Sequence, residues 1–195
     1  MASDDESTNS PDANDCYRVL ALEGDAAAMN NLGVSYEKGR GVAKDAGKAV
    51  ECYASAIAMG NACAMFNLGR MFEEGCGVEK SAGKAAELYA SAAALGNTDA
   101  MVNLGHMLDN GIGMAPDNKR ACELYLMAAE KQNHAAMFNL AMMYLNGRGT
   151  AMNPEKADFW LCKAAAAGLP EARYFSSVAQ RHAGSDSDAG GRLLH

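Results

Sequence analysis

Four asparagines recur at one fixed interval along this chain, and their side chains could bind the backbone of another polypeptide. They stand 36 residues apart, at Asn31, Asn67, Asn103 and Asn139. A side-chain amide both donates and accepts hydrogen bonds, so it can hold an extended peptide whatever side chains that peptide carries. Asparagine is a mediocre helix former, so helix propensity does not account for four of them. The alternative is that each amide bonds a neighbouring helix of its own chain, and the sequence leaves both interpretations open.

A second row at the same interval is mostly apolar and could supply the hydrophobic part of a binding surface. Its members are Asn30, Phe66, Val102, Phe138 and Tyr174, and the last repeat adds Met142 and Leu145. Contiguous exposed apolar surface usually marks an interaction site. Burial against the adjacent helix is the competing explanation.

Charged side chains lie beside these rows. An acidic row of Glu37, Glu73 and Asp109 ends at Leu145 and would suit a basic peptide, although a solvated face is the simpler expectation. Together the rows predict a protein-binding set made of Asn31, Asn67, Asn103, Asn139, Phe66, Arg70, Val102, His106, Phe138 and Met142.

The residue types that catalysis or metal binding requires do not converge in the sequence. His106 has no nucleophile paired with it, and the six cysteines contain no Cys-x-x-Cys pair, so we expect no zinc site. Cys16 and Cys52 fall in equivalent slots of adjacent repeats, on the order of 10 Å apart, whereas a disulfide needs Cα atoms within about 7 Å. We therefore expect no enzymatic activity, no metal and no cofactor, and half-buried thiols that act as small apolar residues.

The rows belong to a 36-residue repeat that predicts the fold. A Leu-Gly pair, a Gly-x-Gly and a basic-Ala pair each recur at this interval, and a fixed period of 20–50 residues is the signature of a stacked array. In the second unit Met65, Leu68, Gly69 and Phe72 share one helical face, which we take as the core stripe. Asn67 would then lie roughly 150° from the core, at about 100° per residue. The Gly-x-Gly elements join two helices, so they are turns and not phosphate-binding loops.

A glycine inside the first helix costs about 1 kcal/mol relative to alanine. Its recurrence at Gly33, Gly69 and Gly105 therefore predicts a close approach of the paired helix. Ala141, the next smallest residue, stands there in the fourth unit.

The predicted fold is all-α: a right-handed α-solenoid of four 36-residue helix-turn-helix repeats with partial helical caps. The solenoid spans residues 13–183, between disordered tails at 1–12 and 184–195. Its parts are a cap helix at 13–23, repeats at about 25–60, 61–96, 97–132 and 133–168, and a C-terminal cap helix at 170–183.

The second unit carries the residues of a known repeat pattern most completely, from Ala64, Leu68 and Gly69 to Lys84, Ala85 and Gly96. This pattern resembles the Sel-1-like repeat family, a relative of the tetratricopeptide repeat, over about residues 13–182. The resemblance implies an α-solenoid adaptor or scaffold without a catalytic site. Gln132 departs from the pattern, because the other units have glycine there.

The composition of the chain argues against some classes of partner. The formal net charge of −7 disfavours nucleic acid and anionic membranes, and no segment approaches the roughly 20 apolar residues of a membrane span. The acidic start of the chain does not read as a signal peptide, so we expect a cytoplasmic protein. We expect an adaptor that binds a protein or peptide segment on its concave face. The alternatives are a structural subunit that self-associates weakly through its end helices and, remotely, an enzyme or effector acting on small molecules.

Overall fold

The structure is a computed structural model that describes residues 13–172. Its regular elements in that range are all α-helices. A lone helix, α1 (Ala13–Leu22), is followed by eight helices: α2 (Ala26–Lys38), α3 (Ala46–Ala58), α4 (Ala62–Glu74), α5 (Ala82–Ala94), α6 (Thr98–Asn110), α7 (Asn118–Glu130), α8 (His134–Asn146) and α9 (Pro154–Ala166). Residues 170–172 are also helical. The predicted tails, Tyr174 and the rest of the predicted C-terminal cap helix lie outside the described residues.

The chain divides into two compact units between Leu95 and Gly96. In the first unit α2 pairs with α3 and α4 with α5, while α1 packs on α2 and α3 packs on α4. In the second unit α6 pairs with α7, α8 pairs with α9, and α7 packs on α8. Each unit is thus built of stacked helical hairpins, and the predicted all-α solenoid class is confirmed.

Short polar side chains set where the helices begin. The side chain of Asn61, for example, accepts a 2.9 Å hydrogen bond from the Ala64 backbone N–H, which satisfies one of the donors left free at a helix start. The same slot in the other first helices holds Asp25, Asn97 and Asn133. Each first helix ends at a glycine in the left-handed conformation, at Gly39, Gly75, Gly111 and Gly147. The helix boundaries therefore follow from residues that repeat with the sequence.

The recurring glycine of the first helix faces a tyrosine of the paired helix. A Cβ built on Gly33 would lie 2.7 Å from Tyr53 Cε1, and the same distance separates Gly69 from Tyr89 and Gly105 from Tyr125. Real Cβ atoms do not come so close to other atoms, so a larger residue would not fit at these three positions. The predicted close approach of the paired helix is confirmed. The neighbour is an aromatic ring and not the partner backbone.

The core stripe differs in part from the predicted one. Leu68 and Gly69 are buried as expected, but Met65 and Phe72 are only half-buried. Met71, which the predicted stripe left out, is 1% exposed. Asn67 is four residues before Met71 and therefore shares its side of the helix. For this reason Asn67 borders the core and does not lie opposite it.

In the basic-Ala pair, the alanine lies in the core and the preceding basic residue lies at the surface. The alanines Ala49, Ala85, Ala121 and Ala157 are fully buried. The preceding lysines cover aromatic rings of the first helices: Lys48 Nζ lies 5.5 Å from the Tyr36 ring centroid and Lys84 Nζ 5.2 Å from that of Phe72. Such cation–π contacts let the ring sit at the edge of the core with its face shielded from water.

Candidate functional site

The asparagine row is partly engaged within the protein. Asn31 is exposed, whereas Asn67, Asn103 and Asn139 are half-buried. In the first unit Asn67 Nδ2 donates to Asn30 Oδ1 at 3.0 Å, and Asn30 Nδ2 donates to Asn31 Oδ1 at 3.4 Å. These bonds connect α4 to α2, which is the neighbouring-helix role left open by the sequence. Each amide offers two donors and an oxygen with two lone pairs, so the network does not exhaust their capacity.

The apolar row is neither fully exposed nor fully packed away. Phe66, Val102, Phe138 and Met142 are all half-buried. The Phe66 ring lies 5.8 Å from the Tyr89 ring, centroid to centroid, at an interplanar angle of 37°. Part of each side chain is thus used in packing, and part stays open at the surface of the first helices.

The acidic row is not a solvated face, so that expectation was wrong. Glu37 is 8% exposed, and its Oε2 accepts a 2.7 Å hydrogen bond from Tyr53 Oη. Tyr89 Oη donates to Glu73 Oε2, also at 2.7 Å. The acids turn inward because the tyrosine of the paired helix offers a hydroxyl at the same depth as their carboxylates.

Glu37 is the centre of an ionic network that links two repeats. Its Oε1 lies 3.0 Å from Arg70 Nη2 and 2.6 Å from Lys38 Nζ. Burial by itself raises the pKa of Glu37, but hydrogen bonds from Lys38 and Tyr53 and the charge of Arg70 outweigh it, so the pKa lies below its ordinary value. Burial and the Glu37 carboxylate raise the pKa of Tyr53. Arg70, predicted as a binding residue, is therefore engaged in holding α4 against α2.

In the third repeat the acid is Asp109, and its ion-pair partner differs from that of Glu37. Asp109 Oδ1 lies 2.7 Å from Arg148 Nη2, which also donates a 2.8 Å hydrogen bond to the Asp109 backbone carbonyl. The side-chain contact is an ion pair, and Asp109 Oδ1 accepts no hydrogen bond from the described residues. A pocket of about 100 Å³ adjoins this pair, and its lining includes His106, Asn139 and Met142 from the predicted set.

The predicted residues thus fall into two sets, one in each unit. Asn31, Phe66, Asn67 and Arg70 belong to the first unit, and the other six belong to the second. The sequence reasoning missed Tyr125, Asn146 and Arg148. A signal for the tyrosines was present, because an acid and a tyrosine recur 16 residues apart in three repeats and both become leucine, Leu145 and Leu161, in the fourth.

Residues 13–172 contain no group of three or more His, Cys, Asp or Glu side chains placed to hold a metal ion. None of the helices described in that range combines the length and apolar character that crossing a membrane requires. The six cysteines, all within the described residues, form no disulfide bonds. Cys52 and Cys122 are buried, and burial raises the pKa of both, whereas Cys16, Cys63 and Cys162 are exposed.

Comparison with known proteins places this arrangement among repeat proteins. The Sel1 repeat matches at residues 26–61, 64–97, 98–133 and 134–169. A Sel1 repeat protein from Oxalobacter formigenes is 35% identical, with a TM-score of 0.73 over 80% of this chain and 64% of that one. The protein c5321, described as a protective antigen present in uropathogenic Escherichia coli strains and displaying an SLR fold, is 28% identical, with a TM-score of 0.78 over 82% of this chain and 34% of that one.

Helicobacter pylori cysteine rich protein B shares the fold at 21% identity, with a TM-score of 0.54 over 68% of this chain and 95% of that one. This chain spans less than two thirds of the length of the Oxalobacter and E. coli proteins. No curated protein matches it. Four matched repeats over most of the sequence show that the chain belongs to the Sel1 repeat family, a non-enzymatic type of scaffold that generally mediates protein interactions.

Proposed function

We propose that the protein is an adaptor that binds an extended segment of a partner protein on the exposed surface of its first helices. This surface, called here the first-helix face, is defined in each unit by itself: it consists of the four predicted residues on α2 and α4 in the first unit and of the six on α6 and α8 in the second. The observation that carries the proposal is that all four row asparagines keep part of their side chain at the surface. Within one unit, amides on the order of 10 Å apart can bond peptide groups about three residues apart along an extended chain.

The half-buried apolar side chains support the same proposal. Phe66 and Val102 combine an anchored part with an open part, and anchored aromatic and aliphatic groups dominate protein interfaces because little side-chain freedom is lost on binding. Arg70 takes a supporting part in the first unit, since it is paired with Glu37. The proposed interaction involves no catalytic step and no cofactor, and we place it in the cytoplasm, as the sequence predicts.

The test is a selection of random dodecapeptides against the full-length protein, followed by affinity measurement on the enriched peptides by fluorescence polarisation. The test variant is Asn31/Asn103/Asn139→Ala, which leaves the Asn67–Asn30 bond in place. We expect its Kd to rise about tenfold or more, the equivalent of about 1.4 kcal/mol.

The matched control is Ser55/Ser91→Ala on the second helices. Both serines are exposed, and each hydroxyl bonds only the carbonyl four residues earlier in its own helix among the described residues. This variant should keep the wild-type Kd, and circular dichroism should show both variants folded. An unchanged Kd in the asparagine variant would move the binding site away from the first-helix face.

Self-association through an end helix is the second candidate, and one observation favours it. On α1, Leu22 is 90% exposed and Val19 is 56% exposed, and apolar groups at this density can drive association. Sedimentation velocity on the wild type and on Val19→Glu/Leu22→Glu separates the two functions. A concentration-dependent oligomer that the double variant abolishes would favour the structural subunit. A wild-type monomer at every concentration would exclude it.

A further inference from the structure

The second unit contains a small polar pocket whose lining includes residues outside the first-helix face. It has a volume of about 100 Å³, and the side chains that matter here are His106, Asp109, Tyr125, Asn139, Asn146 and Arg148. We call it the Asp109 pocket. It lies among α6, α7, α8 and the turn after α8, so its walls come from two successive repeats.

At the pocket, the third repeat has aspartate where the first two repeats have glutamate. Glu37 reaches the hydroxyl of Tyr53, and Glu73 reaches that of Tyr89, both at 2.7 Å. Asp109 is one methylene shorter, and within residues 13–172 no hydrogen bond joins it to Tyr125. The space that a longer acid would fill stays open, with a tyrosine hydroxyl on one side and a carboxylate on the other.

The charges in the pocket balance each other. Asp109 and Arg148 are 2.7 Å apart and form an ion pair. A cationic ligand group would meet the Arg148 guanidinium, and an anionic group would meet the Asp109 carboxylate. Breaking the existing pair to admit a charge would also leave one partner poorly compensated in a partly buried site. The pocket therefore disfavours both signs and suits a neutral polar group.

The hydrogen-bonding groups require a ligand that both donates and accepts. Burial, together with the Asp109 charge, raises the pKa of Tyr125, so its hydroxyl stays protonated and can donate. Asn146 Nδ2 donates a hydrogen bond to the Met142 carbonyl at 2.9 Å, which leaves the Asn146 amide oxygen available as an acceptor. Asn139 supplies both functions. A primary carboxamide has a carbonyl oxygen and an NH₂ group, and so matches this set.

We propose that the Asp109 pocket binds the neutral side-chain carboxamide of an asparagine or glutamine in the partner segment. This inference rests on the proposed adaptor function, whose residues His106, Asn139 and Met142 also line the pocket. The pocket would give the binding site a preference for asparagine or glutamine, whereas the hydrogen bonds to the peptide backbone do not depend on the peptide's sequence. A pocket that hydrogen-bonds a ligand amide discriminates against analogues that lack it.

The direct test uses acetamide as the probe on ¹⁵N-labelled full-length protein, followed by NMR. Acetate and guanidinium, of similar size, test the two charges. We expect acetamide to shift the side-chain NH₂ signals of Asn139 and Asn146 with a Kd about tenfold or more below those of acetate and guanidinium. Equal or tighter binding of either ion at these signals would overturn the carboxamide assignment, as would the absence of any acetamide shift.

Three variants locate the binding. Asp109→Glu keeps the charge but supplies the missing methylene, so it should close the pocket and abolish the acetamide shifts. Tyr125→Phe should weaken acetamide about five- to tenfold, the usual worth of one hydrogen bond. Tyr53→Phe removes the equivalent hydroxyl in the first unit and should leave acetamide binding unchanged. Shifts that persist in Asp109→Glu would overturn the pocket as their source.

The peptide selection described above separates this inference from the function on which it rests. Selected peptides that bind the first-helix face without enrichment of asparagine or glutamine would overturn the inference and leave the adaptor function standing. Acetamide binding in the pocket with no peptide selected at all would support the pocket and count against the adaptor function.

Discussion

Tyr53 Oη donates a 2.7 Å hydrogen bond to Glu37 Oε2, 16 residues earlier on the paired helix. The ring of the same tyrosine lies where a Cβ on Gly33 would have to sit. A glycine, an acid and a tyrosine therefore form one packing unit in which the ring needs the glycine and the hydroxyl needs the acid. The fourth repeat replaces all three members together, with Ala141, Leu145 and Leu161.

This packing unit predicts strong coupling between the glycine and the tyrosine. Gly69→Ala should destabilise the protein by about 1–2 kcal/mol, because the new Cβ meets the fully buried Tyr89 ring 2.7 Å away and outweighs the gain in helix propensity. In the background of Tyr89→Leu the same substitution should cost little or stabilise. Urea denaturation of both single variants and the double variant measures the coupling, which we expect at about 1–3 kcal/mol. Additive effects would show that the two side chains do not compete for space.

The Glu37 network predicts a pH dependence of stability. The pKa of the Glu37 carboxyl lies below the ordinary value of 4.5 despite burial, because Lys38 and Tyr53 donate hydrogen bonds to the carboxylate and Arg70 attracts it. Unfolding raises this pKa, so the stabilisation is fully present above the unfolded value and is lost as the pH falls through the lower folded value. The loss of unfolding free energy in Glu37→Gln should therefore be larger near neutral pH than well below pH 4.5, by urea denaturation across that range.

The control for this measurement is Glu51→Gln. Glu51 is an exposed carboxylate on α3, so the substitution removes the same charge without removing the Tyr53 and Arg70 contacts. An equal pH profile for the two variants would show that net charge, and not the buried network, causes the effect.

Gln132 predicts a stabilising substitution. It has a φ of 66°, in the left-handed region, and stands where the other complete repeats carry Gly60, Gly96 and Gly168. Gln132→Gly should raise the free energy of unfolding by about 0.5–1 kcal/mol, because glycine adopts this conformation without the clash of a Cβ. Thermal and urea unfolding measure the gain. The reciprocal variant Gly60→Gln should lose a similar amount, since no atom of residues 13–172 lies within 4 Å of the Cβ it would add.

A substitution at Gly149 should be more damaging than one at Gly168. Both Gly149 and Gly168 have a positive φ, but a Cβ on Gly149 would collide with the backbone carbonyl of Asn118 at the start of α7. Gly149→Ala should cost about 3 kcal/mol or more, whereas Gly168→Ala should cost about 1 kcal/mol from its backbone conformation alone. Equal losses in urea denaturation would mean that the turn after α8 can move away from α7.

The amino-acid sequence determined the repeat, the helical hairpins, the turns and the close approach at Gly33, Gly69 and Gly105. These features depend on rules that act within a few residues: helix periodicity, polar caps, and glycine where the backbone turns left-handed or a neighbour comes close. Because the same residues recur in each unit, a signal that is weak in one repeat becomes clear in four. The family resemblance could be recognised for the same reason.

The tertiary structure decided what the side chains at the predicted site touch. The sequence placed Glu37 on a solvated face and Asn67 opposite the core, whereas Glu37 is buried against Tyr53 and Asn67 bonds Asn30 across two helices. The Asp109 pocket likewise brings together side chains of α6, α7, α8 and the turn after α8. Such contacts depend on the distance and rotation between packed helices, which many side chains set together, so spacing along one helix cannot predict them.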